Sequence, residues 1–130
     1  MNPSTRKTMK AHILIIDDEP DILESLELVL TSHGYRVSNV LDAKTALSIL
    51  EYTKIDVVVT DIRMPGLDGI RFLKHAKQTD PALKIIILTG YATTTKAIKR
   101  LIQNGAEQIL MKPLESVDQL LQVVDNTLRK

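Results

Sequence analysis

Short apolar runs alternate along this chain with longer stretches in which apolar residues recur at helical spacing. The short runs are HILII (His12–Ile16), RVSNV (Arg36–Val40), VVVT (Val57–Thr60), KIIIL (residues 84–88) and QILM (Gln108–Met111). Most are nearly unbroken in β-branched residues or leucine. That pattern reads as strands covered on both faces, and so as a largely parallel sheet.

The longer stretches predict helices. In DILESLELVLTSHG, residues 21–34, Ile22, Leu26, Val29 and Leu30 fall on one face, and Gly34 supplies a left-handed stop. Leu28 points roughly opposite that face at 100° per residue. A second helix is expected over Ala43–Tyr52, with Ala46, Leu47, Ile49 and Leu50 apolar, and a third over residues 70–77, barred from continuing by Pro81. TTKAIKRLIQNG, closed by Gly105, predicts a fourth, and residues 117–128 a fifth. Five βα units in a row predict a doubly wound α/β sandwich, and right-handed crossovers leave few strand orders. Ligands on such sheets bind beyond the carboxyl ends of the strands, where the winding reverses.

Composition narrows the picture only a little. A chain of 130 residues fits one domain with one sizeable core. No apolar run approaches the ~20 residues of a membrane span, and no signal peptide is evident. The absence of cysteine excludes disulfides and thiolate metal sites and suits a cytoplasmic setting. A formal net charge of +1 gives no overall pull toward nucleic acid or an anionic membrane. The opening MNPSTRKTMK is polar and without period, so residues 1–10 are expected to form a flexible arm and residues 11–130 the domain. Arg6, Lys7 and Lys10 in that arm lack a groove-reading element to supplement, which argues against nucleic-acid binding.

The candidate chemistry lies just after the strands. Asp17-Asp18-Glu19-Pro20 follows the first, Asp61 the third, Thr89 and Gly90 the fourth, and Lys112 and Pro113 the fifth. Singly, each has a structural explanation. Asp18 could cap the helix that Pro20 starts, Asp61 could open a turn with Pro65, Gly66 and Gly69, and Lys112 could be a solvated lysine. Jointly they suggest more. Two carboxylates ~4 Å apart repel by ~4 kcal/mol at an effective dielectric near 20, so three on one rim require a cation or raised pKa values. An all-oxygen site with open positions suits Mg²⁺ shared with a phosphate. With an ammonium, a hydroxyl and a carboxylate able to form an acyl phosphate, the rim suits phosphoryl transfer.

The stretches ILIIDDEPDI, VVVTDIRMPGLDGI, IIILTGYA and Met111-Lys112-Pro113 resemble, in order and spacing, the receiver domains of bacterial two-component response regulators. The resemblance covers the chain from His12 onward. It implies a CheY-like, flavodoxin-like (βα)5 sandwich whose five-stranded parallel sheet runs in the order 2-1-3-4-5. Asp61 is then the phosphoacceptor. Mg²⁺, or Mn²⁺, is held by Asp18 directly, Asp17 mainly through water, Asp61 and the backbone carbonyl of Arg63. Thr89 follows the phosphoryl group, Lys112 bridges to the phosphate or to Asp61, and the Lys112–Pro113 bond is often cis.

Such a domain is no conventional enzyme: it catalyses its own aspartyl phosphorylation and dephosphorylation. The resemblance implies a sensor histidine kinase or histidine phosphotransfer protein as donor, with an output partner or output domain unspecified and a phosphorylation-dependent dimer allowed. Large side chains at Arg63 and Tyr91 predict slow to moderate dephosphorylation. Ile109 stands where the family usually has a tyrosine or phenylalanine, which puts an aromatic relay through that position in doubt. Leu28 is a candidate kinase contact, and Lys96, Lys99, Arg100 and Gln103 mark the outer face of a switching fourth helix. The rivals are a pseudo-receiver acting only through binding, a flavodoxin-like nucleotide or flavin binder, and a haloacid-dehalogenase-type phosphatase. DDEPD repels phosphate without a metal, and the phosphatase wants an acidic residue where Arg63 stands.

Overall fold

A computed structural model describes residues 11–64, 67–90, 94–114 and 116–129. The expected arm of residues 1–10 lies outside these, as do Pro65, Gly66 and Tyr91. The main strands are β1 (His12–Ile16), β2 (Arg36–Val40), β3 (Val57–Thr60), β4 (Lys84–Thr89) and β5 (Gln108–Met111). The helices are α1 (Pro20–Ser32), α2 (Ala43–Tyr52), α3 (Gly69–Thr79), α4 (Thr95–Gln103) and α5 (Val117–Arg129). The strands form one parallel sheet in the order β2-β1-β3-β4-β5. This is the predicted fold.

The unbroken apolar strands are covered on both faces, and their alternation sorts them. Leu14, Ile16, Val58, Ile85 and Ile87 pack with Ala46 and Leu50 of α2, Phe72 and Leu73 of α3, and Leu101 of α4. Ile13, Ile15, Val57, Val59, Ile86 and Leu88 pack with Leu23, Leu26 and Leu30 of α1 and Leu120, Leu121 and Val124 of α5. The side-chain period of 2 along each strand thus gives each helical layer its own core. The two edge strands are the exceptions: β2 has only half-buried and exposed positions, and in β5 only Leu110 is buried.

Several local expectations need correction. Leu23, not Val29, joins Leu26 and Leu30 in the α1 core, while Ile22 and Val29 are only partly buried. The inward stripe is rotated from the predicted one toward Leu23, with Ile22 still packed at its margin, because the sheet beneath sets the contacts. α3 begins one residue earlier than the pattern suggested and ends two later. Thr89 is the last residue of β4 rather than the first beyond it. Among the described residues, Gly34 and Gly105 are the positive-φ glycines, at 93° and 116°, and follow α1 and α4 as expected.

The winding reverses between β1 and β3. From β1 the chain moves outward to β2, then returns past β1 to place β3 on its other side. The residues that follow β1 and β3 therefore face each other across the crevice of the switch point.

Candidate functional site

The register of β1 and β3 builds the site. Ile16 pairs with Thr60, and the Asp61 N–H donates to the Ile16 carbonyl at 3.3 Å, so Asp17 and Asp61 leave adjacent strands at the same level. The Asp17 N–H donates to the Val40 carbonyl of β2 at 3.2 Å, which holds the β1 end from the other side. The buried Thr60 hydroxyl donates to the Asp61 carbonyl at 2.8 Å and fixes the start of the turn. That turn leads through a short ribbon, Arg63–Met64 paired with Leu67–Asp68, into α3. It also explains one glycine behind Asp61: a Cβ on Gly69 would lie 3.1 Å from the Ile62 Cβ and 3.3 Å from its carbonyl oxygen, so α3 approaches this closely only without a side chain there.

Lys112 arrives from the far side of the sheet. Its N–H donates to the Thr89 carbonyl at 2.8 Å, and the Lys112–Pro113 bond is cis. The ammonium donates to Asp17 Oδ2 at 2.8 Å and to Asp61 Oδ2 at 3.2 Å, with Glu19 Oε1 at 3.9 Å. The side chains of Asp17, Asp61 and Lys112 are only 3%, 13% and 16% exposed, so solvent screens these contacts weakly. Burial alone pushes the Lys112 amine down. The hydrogen bond and charge of Asp17, then those of Asp61, outweigh it and hold its pKa above the ordinary lysine value.

Next to this bridge, carboxylate oxygens of Asp17, Asp18 and Glu19 come within 4.8 Å of one another. The set is all oxygen, one member buried and two exposed, which fits a hard divalent cation that keeps several waters. Asp18 does not cap α1. Glu19 occupies the N-cap position without a side-chain cap, Pro20 sits in the first turn, and Asp17 Oδ1 instead accepts the Glu19 N–H at 3.0 Å. Glu19 is the functional candidate that sequence reasoning passed over. Its signal was its place in the acidic run after β1.

The other expected residues are placed as follows. Thr89 is fully buried at the end of β4, paired in register with Met111. Arg63 contributes backbone to the short ribbon. Ile109 pairs with Ile87 and packs, partly buried, on the core beneath α2, α3 and α4. Leu28 is 69% exposed, in keeping with its outward prediction.

Comparison with known proteins agrees with this geometry. The Response regulator receiver domain family matches residues 13–125. The chain is 37% identical over 123 residues to the transcriptional regulatory protein FixJ of Bradyrhizobium diazoefficiens, covering 95% of this chain and 59% of that protein. It spans 23 to 59% of the length of such curated relatives. A CheY-like receiver domain protein from Methanospirillum hungatei superposes with a TM-score of 0.87 at 29% identity, over 93% of this chain and 95% of that one. TrrA from Thermotoga maritima, solved in complex with Mg(2+)-BeF, gives 0.80 at 28% identity, over 91% and 99%. With a β2-β1-β3-β4-β5 sheet and an acidic cluster at its switch point, the chain belongs to the response regulator receiver family, the phosphoacceptor domains of two-component signalling.

Proposed function

We propose that Asp61 accepts a phosphoryl group from a phosphohistidine on a sensor histidine kinase or histidine phosphotransfer protein, in the cytoplasm, and that the chain thereby changes its affinity for an output partner. The observation that carries this reading is the Lys112 ammonium held between Asp17 and Asp61. A carboxylate that must attack phosphorus is otherwise set against its neighbours' charge.

In the transfer, an Asp61 carboxylate oxygen forms a bond to phosphorus as the phosphorus–nitrogen bond of the donor breaks, and the imidazole leaves with the electron pair. Asp18 and Asp17, with Asp61 and the Arg63 carbonyl, are the groups that would hold Mg²⁺ or Mn²⁺. The ion supplies neutralisation of charge on the transferring oxygens. Lys112 moves from a purely carboxylate environment to one shared with the new phosphate. Thr89 offers a hydroxyl to a phosphoryl oxygen, and α4, which follows its loop, shifts in response. The exposed Lys96, Lys99, Arg100 and Gln103 of α4 then report the change.

Acetyl phosphate with Mg²⁺, followed by intact mass, tests the reading. A gain of one phosphoryl group that is lost in Asp61→Asn supports it. No gain in the parent chain, with the fold intact, favours a pseudo-receiver that acts by binding alone. Leu28→Ala is expected to slow transfer from a cognate kinase while leaving acetyl phosphate reactivity unchanged. Lys99→Glu is expected to alter output binding while leaving Asp61 phosphorylation intact.

A further inference from the structure

The near-zero net charge conceals a strongly polarised molecule. α1 carries Asp21, Glu24 and Glu27 and no lysine or arginine, with Asp18 and Glu19 just before it. α3 and α4, on the opposite layer, carry Arg71, Lys74, Lys77, Lys96, Lys99 and Arg100 and no aspartate or glutamate. Of these cations only Lys77 is committed among the described residues, to Glu107 at 2.9 Å and to the Leu83 carbonyl. Arg71, Lys74, Lys96, Lys99 and Arg100 are exposed.

The basic layer is not merely a solvated face, because it is furrowed. Between the N-terminal ends of α3 and α4 lies a groove of about 330 Å³. Ile62, Ile70 and Leu101 form its apolar part, and Lys96 and Arg100, one helical turn apart, supply its charge. The first turn of α4 is already capped, since Thr94 Oγ1 accepts the Ala97 N–H at 3.1 Å, so the two side chains rather than the helix end provide the attraction.

We propose that this groove binds an acidic amphipathic segment of a protein partner, its carboxylates on Lys96 and Arg100 and one aliphatic side chain against Ile62, Ile70 and Leu101. Charge complementarity selects an acidic occupant, and the apolar floor selects a peptide over a nucleic acid, whose backbone offers no aliphatic group to fill it. Ile62 directly follows Asp61, so the groove adjoins the phosphoacceptor. Binding to the structure described needs no phosphoryl transfer, so this inference and the phosphoacceptor reading can fail separately.

The test is fluorescence anisotropy of the whole, unphosphorylated chain with a labelled synthetic helix bearing glutamates beside a leucine stripe. Saturable binding that weakens with salt is expected. The double variant Lys96→Glu, Arg100→Glu, checked for folding by circular dichroism, should bind at least about tenfold more weakly, while Arg129→Glu on the opposite layer stays within about twofold. Absence of saturable binding overturns the proposal, as does a double variant that binds like the parent. Equal affinity for a glutamate peptide without leucines, or for a short DNA duplex, also overturns it, since charge alone would then account for the contact.

Discussion

The two ends of β1 use polar side chains in opposite ways. At its start, His12 and Asp56 exchange backbone bonds: the His12 N–H donates to Asp56 Oδ2 at 2.8 Å, and the Asp56 N–H to the His12 carbonyl at 2.9 Å. The buried His12 ring meets Ser38 Oγ through Nε2 at 2.8 Å, whereas Nδ1 has no hydrogen-bond partner among the described residues. A bare lone pair costs less there than a bare N–H, which favours the neutral ring with Nε2–H donating to Ser38. At the other end, Asp17 and Asp61 share the Lys112 ammonium, and Asp18 and Glu19 crowd beside Asp17. One end uses its polar groups to close the sheet. Among the described residues, the other gathers Asp17, Asp18, Glu19 and Asp61 beside Lys112, a set of carboxylates that could coordinate a divalent cation.

The strongest way to break this contrast is Asp61→Asn, expected to abolish phosphoryl uptake entirely, as read by intact mass. Lys112→Met comes next. It removes the ammonium that bridges Asp17 and Asp61, and chemical denaturation should report a loss of about 2–4 kcal/mol, somewhat below a fully buried broken pair because Asp61 retains some water. A divalent cation should recover part of that loss, since it can replace the missing charge. If the variant is as stable as the parent without metal, the ammonium is not what steadies the site.

The His12 end sharpens the contrast through pH. Burial, then the Arg36 charge, holds the His12 pKa below the ordinary 6.5, although Asp56 pulls the other way. The unfolded chain therefore binds the proton more readily. This contribution to stability is fully present above pH 6.5 and is lost as the pH falls from there toward the folded value. His12→Gln should flatten the pH dependence of the unfolding midpoint in that window, and an unchanged slope would remove His12 from the account. The smallest effect belongs to neither end. Lys54 and Asp80 meet at 3.0 Å with Lys54 largely exposed, so Lys54→Ala should cost no more than about 1 kcal/mol by denaturant titration.

Much of the molecule was legible beforehand because its signals are local. Runs of β-branched residues set the strands, and Gly34 and Gly105 stop helices because other residues rarely take their backbone angles. The expectation that Asp17, Asp18, Asp61, Thr89 and Lys112 share one rim came from the rule that strand ends of a doubly wound sheet share a face, and the structure joins Asp17, Asp61 and Lys112 directly. The α1 stripe shows where local reading ends. Val29 and Leu23 both fit a helical period, and only the sheet beneath chose Leu23.

The sequence by itself determined the strands, the helices and the identity of the charged groups at the strand ends, since backbone sterics and side-chain period act within a few residues. Only the tertiary structure decided that Lys112 reaches across 95 residues to Asp17, that Glu19 joins the acidic cluster, and that the cations of α3 and α4 flank an apolar groove. Those distances depend on register between strands far apart in the chain, which no local pattern encodes.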